Sequence, residues 1–231
     1  MGLNLRGVFI ELRCRGGLIR CAEKLPALIR CFGWKRGLKF LYKYISRNDY
    51  QTWIQRYDTP DAVLEAQIRD QIEAMESLPK ISLLMSVQSV PLEFLKAAIA
   101  SVQSQSYDNW ELCLITDASI DPAAKAMLGG LAAADSRICI VSKPMGDISV
   151  GLNVALARAA GTYIATIDCC DKLSQNALFY VAQAQATHPG AALLYTDEDR
   201  ISEQDVRYAP HFKCAFNPEL VLSQNRIGHL V

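Results

Sequence analysis

From Lys80 onward the chain alternates short apolar, β-branched runs with segments of helical periodicity, and this alternation narrows the fold more than any other feature. Strands are expected over Ile81–Val87, Trp110–Thr116, Arg137–Ser142, Thr162–Ile167 and Ala191–Thr196. Helices are expected between them, over Leu92–Gln103, Pro122–Ala133, Ser149–Ala159 and Ser174–Thr187. Strand–helix alternation of this kind builds an α/β fold with a doubly wound, mostly parallel sheet. Several site chemistries are unsupported. No G-x-G-x-x-G follows the first strand, and there is no P-loop lysine motif, no G-x-S-x-G elbow and no Ser/His/Asp grouping.

The run Gly161–Lys172, GTYIATIDCCDK, carries the most chemistry. Thr162–Ile167 reads as a buried parallel strand, and it ends in Asp168, Cys169, Cys170 and Asp171. Residues just past the carboxyl end of such a strand lie at the rim of an open α/β sheet, where ligands bind. Carboxylates there suit a hard divalent cation, which in turn suits a diphosphate. A second reading has Asp168 capping the following helix, with Asp171 in its first turn. The spacing leaves both open.

The formal net charge of zero conceals a division. Residues 1–57 hold 12 Lys+Arg against 3 Asp+Glu, and residues 58–231 hold 12 against 21. A basic head (1–57), a connecting helix (58–78, with a capping signal at Thr59-Pro60-Asp61 and a stop at Pro79) and an α/β body (79–231) are therefore expected. Within the head, Lys35, Arg36, Lys39 and Lys43 alternate with Leu38, Phe40, Leu41 and Tyr42 in a basic amphipathic helix. Such a helix suits peripheral contact with an anionic membrane surface, and packing against another part of the protein is the competing reading. No run reaches the roughly 18 uninterrupted apolar residues of a spanning helix. Nucleic acid is not an expected partner, because the body is acidic and carries no recognition motif. Arg6, Glu11, Arg13 and Arg15 interrupt the first apolar stretch, which argues against a secretory signal peptide. The eight cysteines then read as reduced thiols of a cytoplasmic protein. No C-x-x-C pair occurs, so a structural zinc site has no motif behind it; Cys169, Cys170 and Cys214 stay open as a cysteine-rich pocket.

Five stretches, in order, carry a family resemblance: PKISLLMSV (79–87), FLKAAIASVQSQSYDNWELCLITDAS (94–119), DISVGLNVALARAAGTYIATIDCCDKL (147–173), ALLYTDEDRI (192–201) and YAPHFKCAFNPELVLSQNRIGHL (208–230). From about Tyr50 onward the chain resembles the family-2 inverting glycosyltransferases of the GT-A fold, in particular the bacterial branch that builds O-antigen and other surface polysaccharides. The resemblance implies a nucleotide-diphosphate sugar as donor and a glycan or lipid-linked acceptor at the inner face of the cell membrane. It also implies a divalent metal, manganese or magnesium. Ser86 and Val87 fall where the family's P-V-Y-N segment meets the nucleotide. Asp117 matches the acid that hydrogen-bonds the base, with helix N-cap as its alternative role. Asn153 matches the segment beside the nucleotide, or is simply a first-turn helix residue. Asp168 matches the first acid of the D-x-D motif, which meets the ribose and the metal-bound diphosphate. Asp197, Glu198 and Asp199 match an acceptor-side acidic stretch and read equally as a solvated turn.

The departures from the family pattern are chemical. Gln88-Ser89 close the P-V-Y-N segment, Thr116 replaces the first acid of D-D-A-S, and Met145-Gly146-Asp147 stand where Asn-Gly-Gly is usual. Cys170 replaces the second acid of D-x-D, leaving Asp171, one residue on, as the alternative metal ligand beside Asp168. An inverting transferase needs a general base for the acceptor hydroxyl; the family places it beyond the position of Val231. His211 and His229 match structural or acceptor-side positions. Two further readings follow: a non-catalytic pseudoenzyme, acting as a nucleotide-binding or membrane-surface module, and a first piece complemented by a downstream polypeptide.

Overall fold

A computed structural model describes residues 50–87, 90–117, 120–142, 148–223 and 230. The basic helix at 35–43, Gln88-Ser89, Met145-Gly146-Asp147 and His229 lie outside the described residues. The chain forms two compact units, and the described part of the first consists of 50–59 and Asp199–His211. The second takes Pro60–Glu198 and the chain after His211.

In the second unit, α1 (Ala62–Glu73) starts at Asp61, whose carboxylate accepts from the Leu64 N–H at 2.8 Å. Next come β1 (Ile81–Ser86), α2 (Leu92–Gln103), β2 (Trp110–Thr116), α3 (Pro122–Ala134), β3 (Ile138–Ser142), α4 (Ile148–Leu156), β4 (Tyr163–Asp168) and α5 (Ala177–Thr187). The strands pair in the order β3-β2-β1-β4, every pair parallel. β1 and β2 are buried on both faces, as unbroken apolar runs such as ISLLMS require in a parallel sheet.

Register assigns the side chains to two faces. On one face Leu83, Met85, Leu112, Leu114, Ala165 and Ile167 meet Leu95, Ile99 and Val102 of α2, Leu128 of α3, and Leu178 and Phe179 of α5. On the other, Leu84, Cys113 and Ile115 meet Leu152 and Ala155 of α4. Helices on both faces of a parallel sheet make this the doubly wound α/β architecture expected of a GT-A domain. No helix among the described residues is long and apolar enough to cross a membrane.

Two expectations need correction. β4 is not buried on both faces: Ala165 and Ile167 are buried, but Ile164, Thr166 and Asp168 are exposed. It is the edge strand of the described sheet, and α4 covers β1 and β2 on that face. Nor do residues 191–196 form a strand. Leu193 and Leu194 instead line an apolar groove of about 80 Å³ with Tyr163, Ile164 and Leu230. The run finds apolar company there without entering a backbone ladder. The strand falls later, as β5 (Glu198–Ile201), which pairs with β6 (Arg207–His211). Five residues link them, too few for a parallel crossover, so this is a hairpin. α6 (Pro218–Ser223) follows.

Candidate functional site

The carboxyl ends of β2, β1 and β4 lie side by side. Ser86 is the register partner of Asp168 on one side and of Ile115 on the other. Because side chains alternate, Ser86 and Asp168 project from the α4 face, and Asp117 follows directly on the end of β2, two residues past Ile115. With strands about 4.8 Å apart and about 3.3 Å of rise per residue, Asp168 lies one strand from Ser86, while Asp117, two strands from Asp168 and two residues further along, is roughly 12 Å from it. Val87 follows on β1, buried, its N–H donating to the Ile115 carbonyl at 2.8 Å. α4 runs over this face, and Asn153 sits exposed on it.

Asp117 is not the cap of α3: Asp121 is, accepting from the Ala123 N–H at 2.8 Å. Asn153 is the sixth residue of α4, one turn deeper than a first-turn position. Asp168 does not cap a helix, since α5 begins only at Ala177. Its carboxylate accepts from the Cys170 N–H at 3.2 Å, and its carbonyl from the Asp171 N–H at 3.1 Å, closing a tight turn at the end of β4.

Polar residues that the motifs do not mark hold this turn in place. Ser101 of α2 accepts from the Leu173 N–H at 3.0 Å. The buried Gln105 donates to the Ser174 carbonyl at 2.7 Å and accepts from the Leu178 N–H at 3.0 Å. At the opposite end of the sheet, Gly161 donates to the Ser82 hydroxyl at 2.8 Å, and Glu111 accepts from Ser82 and from the Ala160 N–H while pairing with Lys80 at 2.6 Å. Burial raises the Glu111 pKa, but hydrogen bonds from Lys80, Ser82 and the Ala160 N–H outweigh it and hold the carboxyl below its usual range. This network locks β4 to β1 in the register that sets Asp168 beside Ser86.

The acidic run 197–199 is occupied with structural partners. In the larger unit, Asp197 accepts from the Lys213 N–H at 2.6 Å and Glu198 pairs with Lys213 Nζ at 3.1 Å. In the smaller unit, Asp199 accepts from the Tyr50 hydroxyl and from Arg207 Nε, and Arg207 also pairs with Asp58 at 2.6 Å. Burial, then the Asp199 carboxylate, push the Tyr50 phenol above its usual range. His211 ends β6.

Among the described residues one group has metal-ligating chemistry: Asp168, Cys169 and Cys170, whose ligand atoms all lie within 4.8 Å of one another. Asp171 is not part of it. Two of the three donors are thiol sulfurs, which suit magnesium or manganese poorly. The residues present therefore do not fit the hard cation that the family pattern implies.

The chain belongs to glycosyl transferase family 2, which it matches over residues 82–219, a span containing Ser86, Asp117 and Asp168. Over 184 residues it is 35% identical to the O-antigen biosynthesis protein RfbC of Myxococcus xanthus, covering 79% of this chain and 14% of that protein. It is 36% identical over 182 residues to the uncharacterized protein y4gI of Sinorhizobium fredii, covering 78% of this chain and 20% of that protein. The chain thus spans a fifth or less of the length of these two relatives. Among solved structures, the S. aureus TarS 1–349 crystal structure overlaps 48% of this chain and 33% of its own, with 18% identity and a TM-score of 0.43.

Proposed function

We propose that the rim formed by Ser86, Val87, Asp117 and Asp168, with Asn153 of α4 beside it, binds the nucleoside diphosphate of a sugar donor. One observation carries this reading: the carboxyl ends of three neighbouring parallel strands set Ser86 and Asp168, and Asp117 just past β2, along one rim of the sheet, inside the family-2 span. Open α/β sheets bind ligands at such ends. Asp117 accepts from an N–H of the base. Asp168, in a turn already closed by Cys170 and Asp171, hydrogen-bonds the ribose hydroxyls. In the intact reaction an acceptor hydroxyl attacks the anomeric carbon in line with the departing diphosphate and inverts it. The acceptor is a glycan or a lipid-linked glycan, in keeping with the name of the RfbC relative. The basic head (1–57) brings the chain to an anionic membrane surface.

Calorimetric titration of the full chain with UDP, GDP and dTDP tests this. One nucleotide binds, and Asp117→Ala removes the binding while leaving the melting temperature unchanged. No heat with any nucleotide from folded protein would refute the donor-site reading. Cys170 favours a second reading, a nucleotide-binding module without transferase activity. Binding without turnover of any sugar nucleotide, in the presence of a membrane glycolipid extract, would select it.

A further inference from the structure

The turn that ends β4 has a donor set unlike the acidic pair that the family pattern calls for. Asp168 supplies a carboxylate oxygen, Cys169 and Cys170 supply sulfurs, and one ligand atom from each lies within 4.8 Å of the other two. Cys169 is 2% exposed, among the apolar side chains under the sheet, whereas Asp168 and Cys170 open to solvent. The turn is fixed from three sides: by the Cys170 N–H on the Asp168 carboxylate, by the Asp171 N–H on the Asp168 carbonyl, and by Ser101 on the Leu173 N–H. The backbone that carries the three donors is therefore fixed before any ion arrives.

Around zinc, sulfur ligands sit at about 2.3 Å and carboxylate oxygens at about 2.0–2.2 Å, so two ligands of one tetrahedral ion lie roughly 3.5 Å apart. Donors already within 4.8 Å are about 1 Å further apart than the ligands of one tetrahedral ion. Two thiolates with one carboxylate match a borderline-soft cation and penalise magnesium and manganese. Three protein ligands also leave a fourth tetrahedral position, which an oxygen of a diphosphate can fill. From these observations we infer that Asp168, Cys169 and Cys170 form a site for a thiophilic divalent cation of the zinc class. Each coordinating thiol gives its proton to solvent on binding. The inference deepens the donor-site reading and rests on it only for the role of the fourth position.

The test titrates the full reduced chain with cobalt(II), a spectroscopic stand-in for zinc. Wild-type protein develops a near-ultraviolet thiolate-to-cobalt charge-transfer band that zinc(II) abolishes and excess manganese(II) does not. Other cysteines contribute to any raw spectrum, so the difference between wild type and Cys170→Ser is the measured quantity. Cys170→Ser weakens cobalt binding at least about tenfold, the loss that even an outer-sphere partner incurs. Cys139→Ser, at the exposed cysteine of β3, retains the band. Cys170→Asp, which restores the second acid, gains manganese binding, followed by the electron paramagnetic resonance signal of the free ion. A band unchanged in Cys170→Ser, or wild-type protein that binds manganese as tightly as zinc, would overturn the inference. The two readings fail separately. Zinc bound through Cys170 with no nucleotide heat refutes the donor site and keeps the cation site, while nucleotide heat without the thiolate difference band does the reverse.

Discussion

Gly161→Ala tests whether the glycine before β4 is what allows that strand to seat. A β-carbon at Gly161 would lie 2.4 Å from Ser82 Oγ, 2.7 Å from Ser82 N and 2.8 Å from the Lys80 carbonyl oxygen. The hydroxyl can rotate away, but the two backbone atoms belong to β1 and its lead-in, in the middle of the sheet. The chain must instead lift, loosening the Gly161 N–H bond to Ser82 and the Thr162 N–H bond to Lys80, both 2.8 Å. Overpacking of this kind costs about 1–3 kcal/mol, and a weakened hydrogen bond adds about 1 kcal/mol, for a total of about 3 kcal/mol. In a chain of this size that lowers the melting temperature by about 6–12 °C. Urea unfolding followed by circular dichroism should show a lower midpoint, and the variant should also bind nucleotide more weakly, because Asp168 rides on β4. Adding Ser82→Ala removes only one of the three clashes and should restore less than half of the loss. A Gly161→Ala protein melting within about 2 °C of wild type would refute the argument.

Two other predictions concern stability. Tyr107, buried under the sheet, donates its hydroxyl to the Pro79 carbonyl at 2.7 Å, and burial pushes its pKa up to about 12. Tyr107→Phe leaves that carbonyl unpaired and should cost about 1–3 kcal/mol in urea unfolding, with no pH dependence between pH 6 and 9, a range below both the folded pKa of about 12 and the ordinary value of 10 in the unfolded chain. Asp135 accepts from Arg137 through its side chain and its N–H, which holds the carboxyl at about 2 against an ordinary 3.8. A depressed carboxyl stabilises above its unfolded pKa, so this contribution, about 1 kcal/mol or less after solvent screening, is complete above about pH 5 and lost as pH falls towards 2. Arg137→Leu removes the guanidinium bonds but keeps the backbone N–H, so it should weaken this acid dependence in melts recorded from pH 5 to pH 2, and an unchanged acid limb would contradict it.

The sequence was most legible where burial is two-sided. β1, β2, α2 and α3 fall within a residue or so of their expected ends, because unbroken apolar runs and a clean i, i+3, i+4, i+7 stripe (Leu95, Ala98, Ile99, Val102) leave little choice. The run 191–196 was misleading for the same reason. Apolar composition (Ala191, Ala192, Leu193, Leu194) marks a segment for burial, but a groove wall meets that need as well as a ladder does. Strand-end acids and the departures at Thr116 and Cys170 could be read directly, because motif spacing places them at the rim. The partners of Asp197, Glu198 and Asp199 could not. Lys213 and Arg207 are close to them in space through a hairpin whose position the sequence did not mark. Gln105 and Ser101 gave no signal either, since a buried polar side chain that satisfies a loop looks in sequence like any other helix-end residue.

On the proposed reading the donor nucleotide binds at the carboxyl ends of β2, β1 and β4, on the face that α4 covers in part. Titrating isotopically labelled full chain with the nucleotide selected by calorimetry, and following backbone amide shifts, tests this most directly. The largest perturbations should fall at Ser86, Val87, Asp117 and residues 168–171, with Ser82, Glu111 and Gly161 at the opposite end unmoved. Saturable perturbations centred on Ser82, Glu111 and Gly161, or confined to the smaller unit around Tyr50 and Arg207, would contradict it.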